Sequence, residues 1–137
     1  MEITRSSIET GLGPSEWFRG EVFIDTIAVA SADWPLGSAA VHFTPGARTA
    51  WHTHPHGQTI WVTEGVGLCQ HEGGPIEVIR PGDKVFFEPG EKHWHGATAT
   101  RLMTHIAMHL ADETGSTVVW GEQVTDEEYG QAPAEPL

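Results

Sequence analysis

The chain has 137 residues, 39% of them hydrophobic, and a formal net charge of -12. That length suffices for one packed core, and the apolar content excludes a globally disordered chain. The acidic balance repels phosphate backbones and sets nucleic acid aside as a partner, and no run of about 18 apolar residues offers a membrane span.

The first ten residues, MEITRSSIET, lack the basic stretch and apolar core of a secretory signal. Residues 21–29 (EVFIDTIAV), 39–43 (AAVHF), 59–63 (TIWVT), 76–79 (IEVI) and 84–87 (KVFF) are each of strand length and rich in β-branched and aromatic side chains. Turn signals separate them: Pro45-Gly46, Gly65-Val66-Gly67, Gly73-Gly74-Pro75, Pro81-Gly82-Asp83 and Pro89-Gly90. Short strands at this spacing predict an all-β sandwich or barrel. Near the end, Thr125-Asp126-Glu127-Glu128 reads as a capping box opening one helical turn. Residues 131–137 are rich in Pro and Ala and are expected to fray. Cys69 is the only cysteine, which excludes an intramolecular disulfide and fits a reducing cytosol.

The strand at 101–111 differs on its two faces. One parity carries Leu102, Thr104, Ile106, Met108 and Leu110, and the other Met103, His105, Ala107 and His109. Successive side chains on a strand point to opposite faces. Either the imidazoles face solvent, or they face a cavity and the greasy side covers another sheet or subunit. The stretch HTHPHGQ at 52–58 poses a related question. His52 and His54 share a strand face, Pro55 and Gly57 bend the chain, and Gln58 can point back at the same spot. His93 and His95, after a second Pro-Gly turn, form another pair of equal parity. Two such pairs favour a metal site over a solvated loop, because neutral imidazole is the commonest protein metal ligand and an amide oxygen is an acceptable hard one.

Gly46, five residues, His52-x-His54, three residues, Gln58, six residues and Gly65 resemble the first motif of the cupin superfamily. Gly82, five residues, Glu88-Pro89-Gly90, two residues and His93 resemble the second. The family pattern has Glu where Gln58 stands, usually Pro where Glu88 stands, and often Asn where Ala97 stands. This resemblance implies an all-β fold, a single cupin jelly-roll β-barrel over residues 1–137, with its core at about 20–124 and a helical segment and tail at 125–137. Its metal positions carry over as His52, His54, Gln58 and His93. A narrower group is similar at 14–18 (PSEWF), 45–55 (PGARTAWHTHP), 90–97 (GEKHWHGA), 103–105 (MTH) and 124–129 (VTDEEY). These are the small bacterial manganese cupins that act as (R)-selective hydroxynitrile lyases, which also have Gln at the fourth ligand position. The resemblance implies one divalent metal per chain, manganese first, with iron, zinc, nickel and cobalt as alternatives. It also implies a small-molecule substrate, a cytoplasmic enzyme and a homo-oligomer, dimeric or tetrameric.

Three imidazoles and an amide bring no negative charge, so a divalent ion among them would keep its full Lewis acidity. His105 is then the first candidate for the base that takes a substrate hydroxyl proton, with His95 and His109 as helpers. His109 equally suits a water-bound place at the barrel mouth. Ala39, Val41 and Ala107 are small enough to leave room for substrate, or serve as ordinary barrel filling. His56 and His71 read as turn residues in solvent, and His42 as facing away from the cavity. Arg48 either orients a carboxylate or ties down its loop, and Trp51 and Trp94 pack behind the histidines. The rival readings are an iron-dependent dioxygenase, a metal-dependent decarboxylase, isomerase or cyclase, and a small-molecule-binding cupin whose metal is structural.

Overall fold

The computed structural model describes residues 1–5 and 8–134. In chain order its strands are β1 (Gly11–Leu12), β2 (Phe18–Arg19), β3 (Val22–Ala28), β4 (Leu36–Phe43), β5 (Arg48–Thr49), β6 (His52–Thr53) and β7 (Gln58–Gly65). There follow β8 (Gly67–His71), β9 (Glu77–Ile79), β10 (Lys84–Phe87), β11 (His93–Ala97), β12 (Met103–Leu110), β13 (Val119–Trp120) and one helical turn, α1 (Asp126–Tyr129). The five runs expected from composition become β3, β4, β7, β9 and β10, and the histidine-bearing run becomes β12. The two-residue strands β1, β2, β5, β6 and β13 are too short to show a period of two.

Two antiparallel sheets face each other in a jelly roll. One has the order β1-β3-β4-β12-β7-β10. The other runs β13-β6-β11-β5-β2, with β8 pairing β11 and β9. The main core lies between them: Val41 and Phe43 from β4, Ile60 and Val62 from β7, Phe87 from β10, Ala97 from β11 and Met103 and Ala107 from β12 are all buried. This settles the parity of β12. Met103, His105 and Ala107 point inward, while Leu110 is exposed and Ile106 and Met108 are half-buried. Each fully buried core side chain of this size contributes about 1.5–3 kcal/mol, so a one-residue slip that turned this face outward would be strongly disfavoured.

A second apolar cluster lies on the other side of the second sheet. Trp51, Leu68, Ile76, Trp94 and Val124 form it, with Tyr129 and Ala132 packed against them. The chain after β13 is held over this cluster by α1. Thr125 caps the helix by accepting from Glu128 N, and the Glu128 carboxylate accepts from Thr125 N in return, as the capping box predicts. The tail expected to fray from 131 onward is anchored at its start: Ala132 N donates to Tyr129 O at 3.1 Å, and its side chain joins the cluster. The remainder of that expected tail, residues 135–137, lies outside the described residues. No helix among the described residues is long and apolar enough to cross a membrane.

Candidate metal centre and cavity

Register brings the histidines together. His93 on β11 sits opposite His52 on β6, and His109 on β12 sits opposite Gln58 at the start of β7. Between His54 and Gln58 the chain must reverse tightly. Gly57 does this with φ +79°, and a Cβ there would lie 2.7 Å from the Phe87 carbonyl oxygen, so both backbone conformation and space demand glycine. On β11 the alternation is complete: His93 and His95 face the barrel interior, while Trp94 faces the second cluster and donates to Gln70 Oε1 at 2.8 Å.

Three of the rings are fixed in the same way. His52 Nδ1 meets Ala50 O at 2.8 Å, His54 Nδ1 meets Thr117 O at 2.7 Å, and His93 Nδ1 meets Glu91 O at 2.8 Å. A carbonyl oxygen only accepts, so each Nδ1 carries the proton and each Nε2 presents a lone pair. Phe87 stacks on His93 with centroids 3.6 Å apart, which locks that ring further. The Nε2 atoms of His54 and His93 and the Oε1 of Gln58 are buried without a hydrogen-bond partner. An orphaned buried polar atom costs about 1–3 kcal/mol, so several lone pairs in one place fit a common partner that takes them. A cation is such a partner, and donation of the second ring nitrogen to a carbonyl is what metal-binding histidines ordinarily show. Burial pushes His54 down to about 4, against its carbonyl bond, and His93 down to about 3. Burial, reinforced by His93 and His54, holds His52 well below its ordinary range. All three rings are therefore neutral at neutral pH, the form in which an imidazole can ligate a metal.

His95 belongs to the same group. One ring nitrogen each from His52, His93 and His95 lies within 4.8 Å of the others. His54 is outside that trio, although its ring centroid is 4.9 Å from that of His52 and 5.3 Å from that of His93. His95 differs from the pinned three in its second nitrogen. Its Nδ1 faces His105 Nε2 at 3.0 Å. Burial, then the neighbouring His105, holds His95 well below its usual range, and burial pushes His105 to about 3.

These groups open onto a cavity of about 190 Å³. His54, Gln58, His95, His105 and His109 form its polar side, and Phe18, Phe43, Val41, Ala39, Ala107 and Trp120 its apolar side. Pockets for drug-sized ligands measure about 300–1,000 Å³, so this one suits a small molecule with an apolar portion. A larger groove of about 490 Å³ lies beside Trp51, Glu72, Lys92 and Glu122, but no histidine lines it. Lys92 there is already paired with Glu72 at 3.2 Å and Glu122 at 3.5 Å.

The other expectations resolve simply. His56 is exposed, and His71 is the exposed last residue of β8. His42 lies on the outer side of β4, between Asp25 Oδ2 at 2.9 Å and Thr104 Oγ1 at 3.0 Å. Arg48 points away from the cavity and donates to Val124 O and Asp126 Oδ1, so it ties down the C-terminal segment. Trp51 and Trp94 pack behind the histidines. Sequence reasoning missed Trp120 and Phe18 as cavity walls and Thr117 as the residue that orients His54.

Comparison with known proteins identifies the fold. Residues 39–108 match the family described as Cupin domain. The (R)-mandelonitrile lyase of Granulicella tundricola is 54% identical over 130 residues, covering 94% of this chain and 98% of that protein. A cupin-like protein of Thermotoga maritima is 32% identical, with a TM-score of 0.84 over 96% of this chain and 100% of its own. A polyketide cyclase from Streptomyces resistomycificus shares the fold alone, at 15% identity and a TM-score of 0.69 over 94% of this chain and 89% of its own. Fold, histidine spacing and a relative matched along nearly its whole length place this chain in the cupin family.

Proposed function

We propose that this cupin is a metal-dependent lyase that cleaves or forms cyanohydrins. The observation that carries the reading is a set of donors beside a proton-transfer pair. Three histidines locked as Nε2 donors, with the orphaned Gln58 oxygen, adjoin the His95–His105 pair across one small, largely apolar cavity. The likeness to a relative named (R)-mandelonitrile lyase supplies the substrate class. His52, His54, Gln58 and His93 would hold the divalent ion. Bound there, it supplies Lewis acidity toward the substrate oxygen, undiminished by any anionic ligand.

The chain's own residues account for the rest. The wall of Phe18, Phe43 and Trp120 receives the apolar group of the substrate and keeps bulk water out. His105 is neutral and shares a hydrogen bond with His95, so the pair accepts the hydroxyl proton and spreads the resulting charge over two rings. As the oxygen loses its proton, the C–O bond becomes C=O, and the bond to the nitrile carbon breaks with its electron pair on cyanide. Return of the proton to cyanide releases HCN and restores both neutral rings. In reverse, the same groups take the proton of HCN and deliver it to the carbonyl oxygen as cyanide adds to the aldehyde carbon.

A second ligand set deserves a separate test, because the tightest nitrogen cluster runs through His95 instead of His54. Ligation by His95 would leave His105 to act alone. Manganese titration of His54→Ala and His95→Ala separates the two sets, since loss of a ligand weakens binding more than loss of a neighbouring ring. Manganese is the ion favoured by the resemblance, and iron is the alternative for this mixed nitrogen–oxygen donor set. The same reading includes a homo-oligomer. Trp61, Phe86, Leu36 and Leu110 are all exposed on the first sheet, and light scattering will show whether copies associate.

The direct experiment is (R)-mandelonitrile cleavage at acidic pH, where the spontaneous reaction is slow, with manganese-loaded and chelator-stripped protein. Metal-dependent release of benzaldehyde is expected. No release by the fully loaded protein would sink cyanohydrin chemistry, and oxygen consumption with Fe²⁺ would become the question.

A further inference from the structure

We propose that His109 is a positioning residue that fixes which end of the Gln58 amide faces the metal ligands. The inference rests on the proposed ligand role of Gln58. A glutamine amide presents a donor and an acceptor at nearly equal positions, and only the oxygen ligates a cation. A carboxylate in that place would have two equivalent oxygens and no such ambiguity. With Gln58, something must hold the nitrogen on the other side.

His109 is placed to do this. It is the cross-strand partner of Gln58 in the pairing of β12 with β7, and Gln58 Nε2 donates to His109 Nδ1 at 3.3 Å. The opposite amide atom, Oε1, is buried and has no hydrogen-bond partner. If the amide turned over, its NH₂ would donate to the lone pairs of the ligand histidines and take the place of a cation, while its oxygen would face His109 Nδ1, which opposes that arrangement as long as the ring is the Nε2–H tautomer. The His109 ring is itself held on both sides. It stacks on His54 with centroids 5.4 Å apart and planes 15° from parallel. On the β4 side it lies against Gly37, where a Cβ would come within 2.8 Å of both Nε2 and Cδ2. Gly37 therefore makes the room that lets His109 lie flat beside His54. The resulting job is structural selection: His109 accepts at Nδ1 and turns the amide oxygen inward, and it has no need to exchange a proton with substrate.

The test is a double-mutant cycle read by manganese affinity, using isothermal titration and the Mn²⁺ electron paramagnetic resonance signal of the intact protein. His109→Phe keeps an aromatic ring beside His54 but removes the acceptor, and is expected to weaken Mn²⁺ binding on the order of 10-fold to 100-fold. His109→Gln can still accept from the Gln58 amide and should recover most of that loss. In a Gln58→Glu background the His109→Phe penalty should vanish, because a carboxylate cannot be misoriented. Circular dichroism of each variant confirms folding before titration. A full-sized loss that persists with Glu at position 58 would overturn the proposal, and so would His109→Phe binding Mn²⁺ like the parent. Gln58→Ala reports on the underlying reading separately. If it binds Mn²⁺ as tightly as the parent, Gln58 is not a ligand, and the metal set and this inference fall together.

Discussion

His105 Nε2 lies 3.0 Å from His95 Nδ1, with His95 3% and His105 0% exposed. One of the two nitrogens must carry a proton and the other must accept it. Removing His105 should therefore abolish the proton acceptor and leave the ligand rings pinned by their own carbonyls. His105→Ala is expected to lower kcat for mandelonitrile cleavage by about 10²–10⁴-fold with unchanged manganese content. Activity assays paired with metal analysis check this, and parallel loss of metal and activity would instead make His105 part of the metal site.

Cavity shape gives a prediction about substrate choice. Ala107 on β12 lines the cavity opposite Ala39 on β4 and is 4% exposed. A larger side chain there has the 190 Å³ space to enter, so Ala107→Leu should fold at a cost of no more than about 1–3 kcal/mol. Filling that space should raise KM for mandelonitrile by at least about 10-fold while a short aliphatic cyanohydrin is still cleaved. Equal effects on both substrates would place the aromatic group elsewhere.

Some of this site was readable from the chain and some was not. The pairs His52/His54, His93/His95 and His105/His109 reach one place because strand parity is local, and each alternates with residues that the barrel buries or exposes on the other side. The same rule sorted the two faces of β12 but left open which of them turns inward. What could not be read was set by distant chain segments. Thr117 orients His54 through a backbone carbonyl, which leaves no side-chain signature. Trp120 and Phe18 come from two-residue strands without periodicity. Arg48 had two open roles because its partners, Val124 and Asp126, lie 76 and 78 residues away. Whether His54 or His95 would complete a metal site likewise depends on ring spacing, which parity leaves free.

Arg48 leads to a stability prediction. It is 4% exposed, donates to the buried Val124 carbonyl at 2.8 Å and lies 4.4 Å over the Tyr129 ring, while Tyr129 Oη donates to Ala97 O at 2.7 Å. The bond to Asp126 adds little, because that carboxylate is 77% exposed and screened. Arg48→Met keeps the packing volume but leaves the Val124 carbonyl unpaired, at a cost of about 1–3 kcal/mol. Urea midpoints should fall accordingly with manganese affinity preserved. An unchanged midpoint would mean that α1 is held by Trp94, Tyr129 and Val124 alone.

Cys69 should be chemically silent in the folded protein. It lies on β8 opposite His95 and, like it, points to the barrel core, and burial, with Glu77 and Asp83 nearby, raises its thiol from 9.0 to about 12. The nucleophile in disulfide exchange is the thiolate, so an aromatic disulfide reagent at pH 8 should label it only as fast as the protein opens. The sign of the linkage follows from the same shift. Below pH 9 both folded and unfolded chains keep the thiol protonated, and stability is unaffected by this group. Above pH 9 the unfolded chain releases the proton first, so the folded state loses stability as pH rises toward 12, by up to the order of 4 kcal/mol. Cys69→Ala removes this term and leaves a small cavity. Its urea midpoint should be lower than the parent's at pH 7 and the gap should narrow above pH 9, whereas a constant gap would show that the thiol ionises equally in both states.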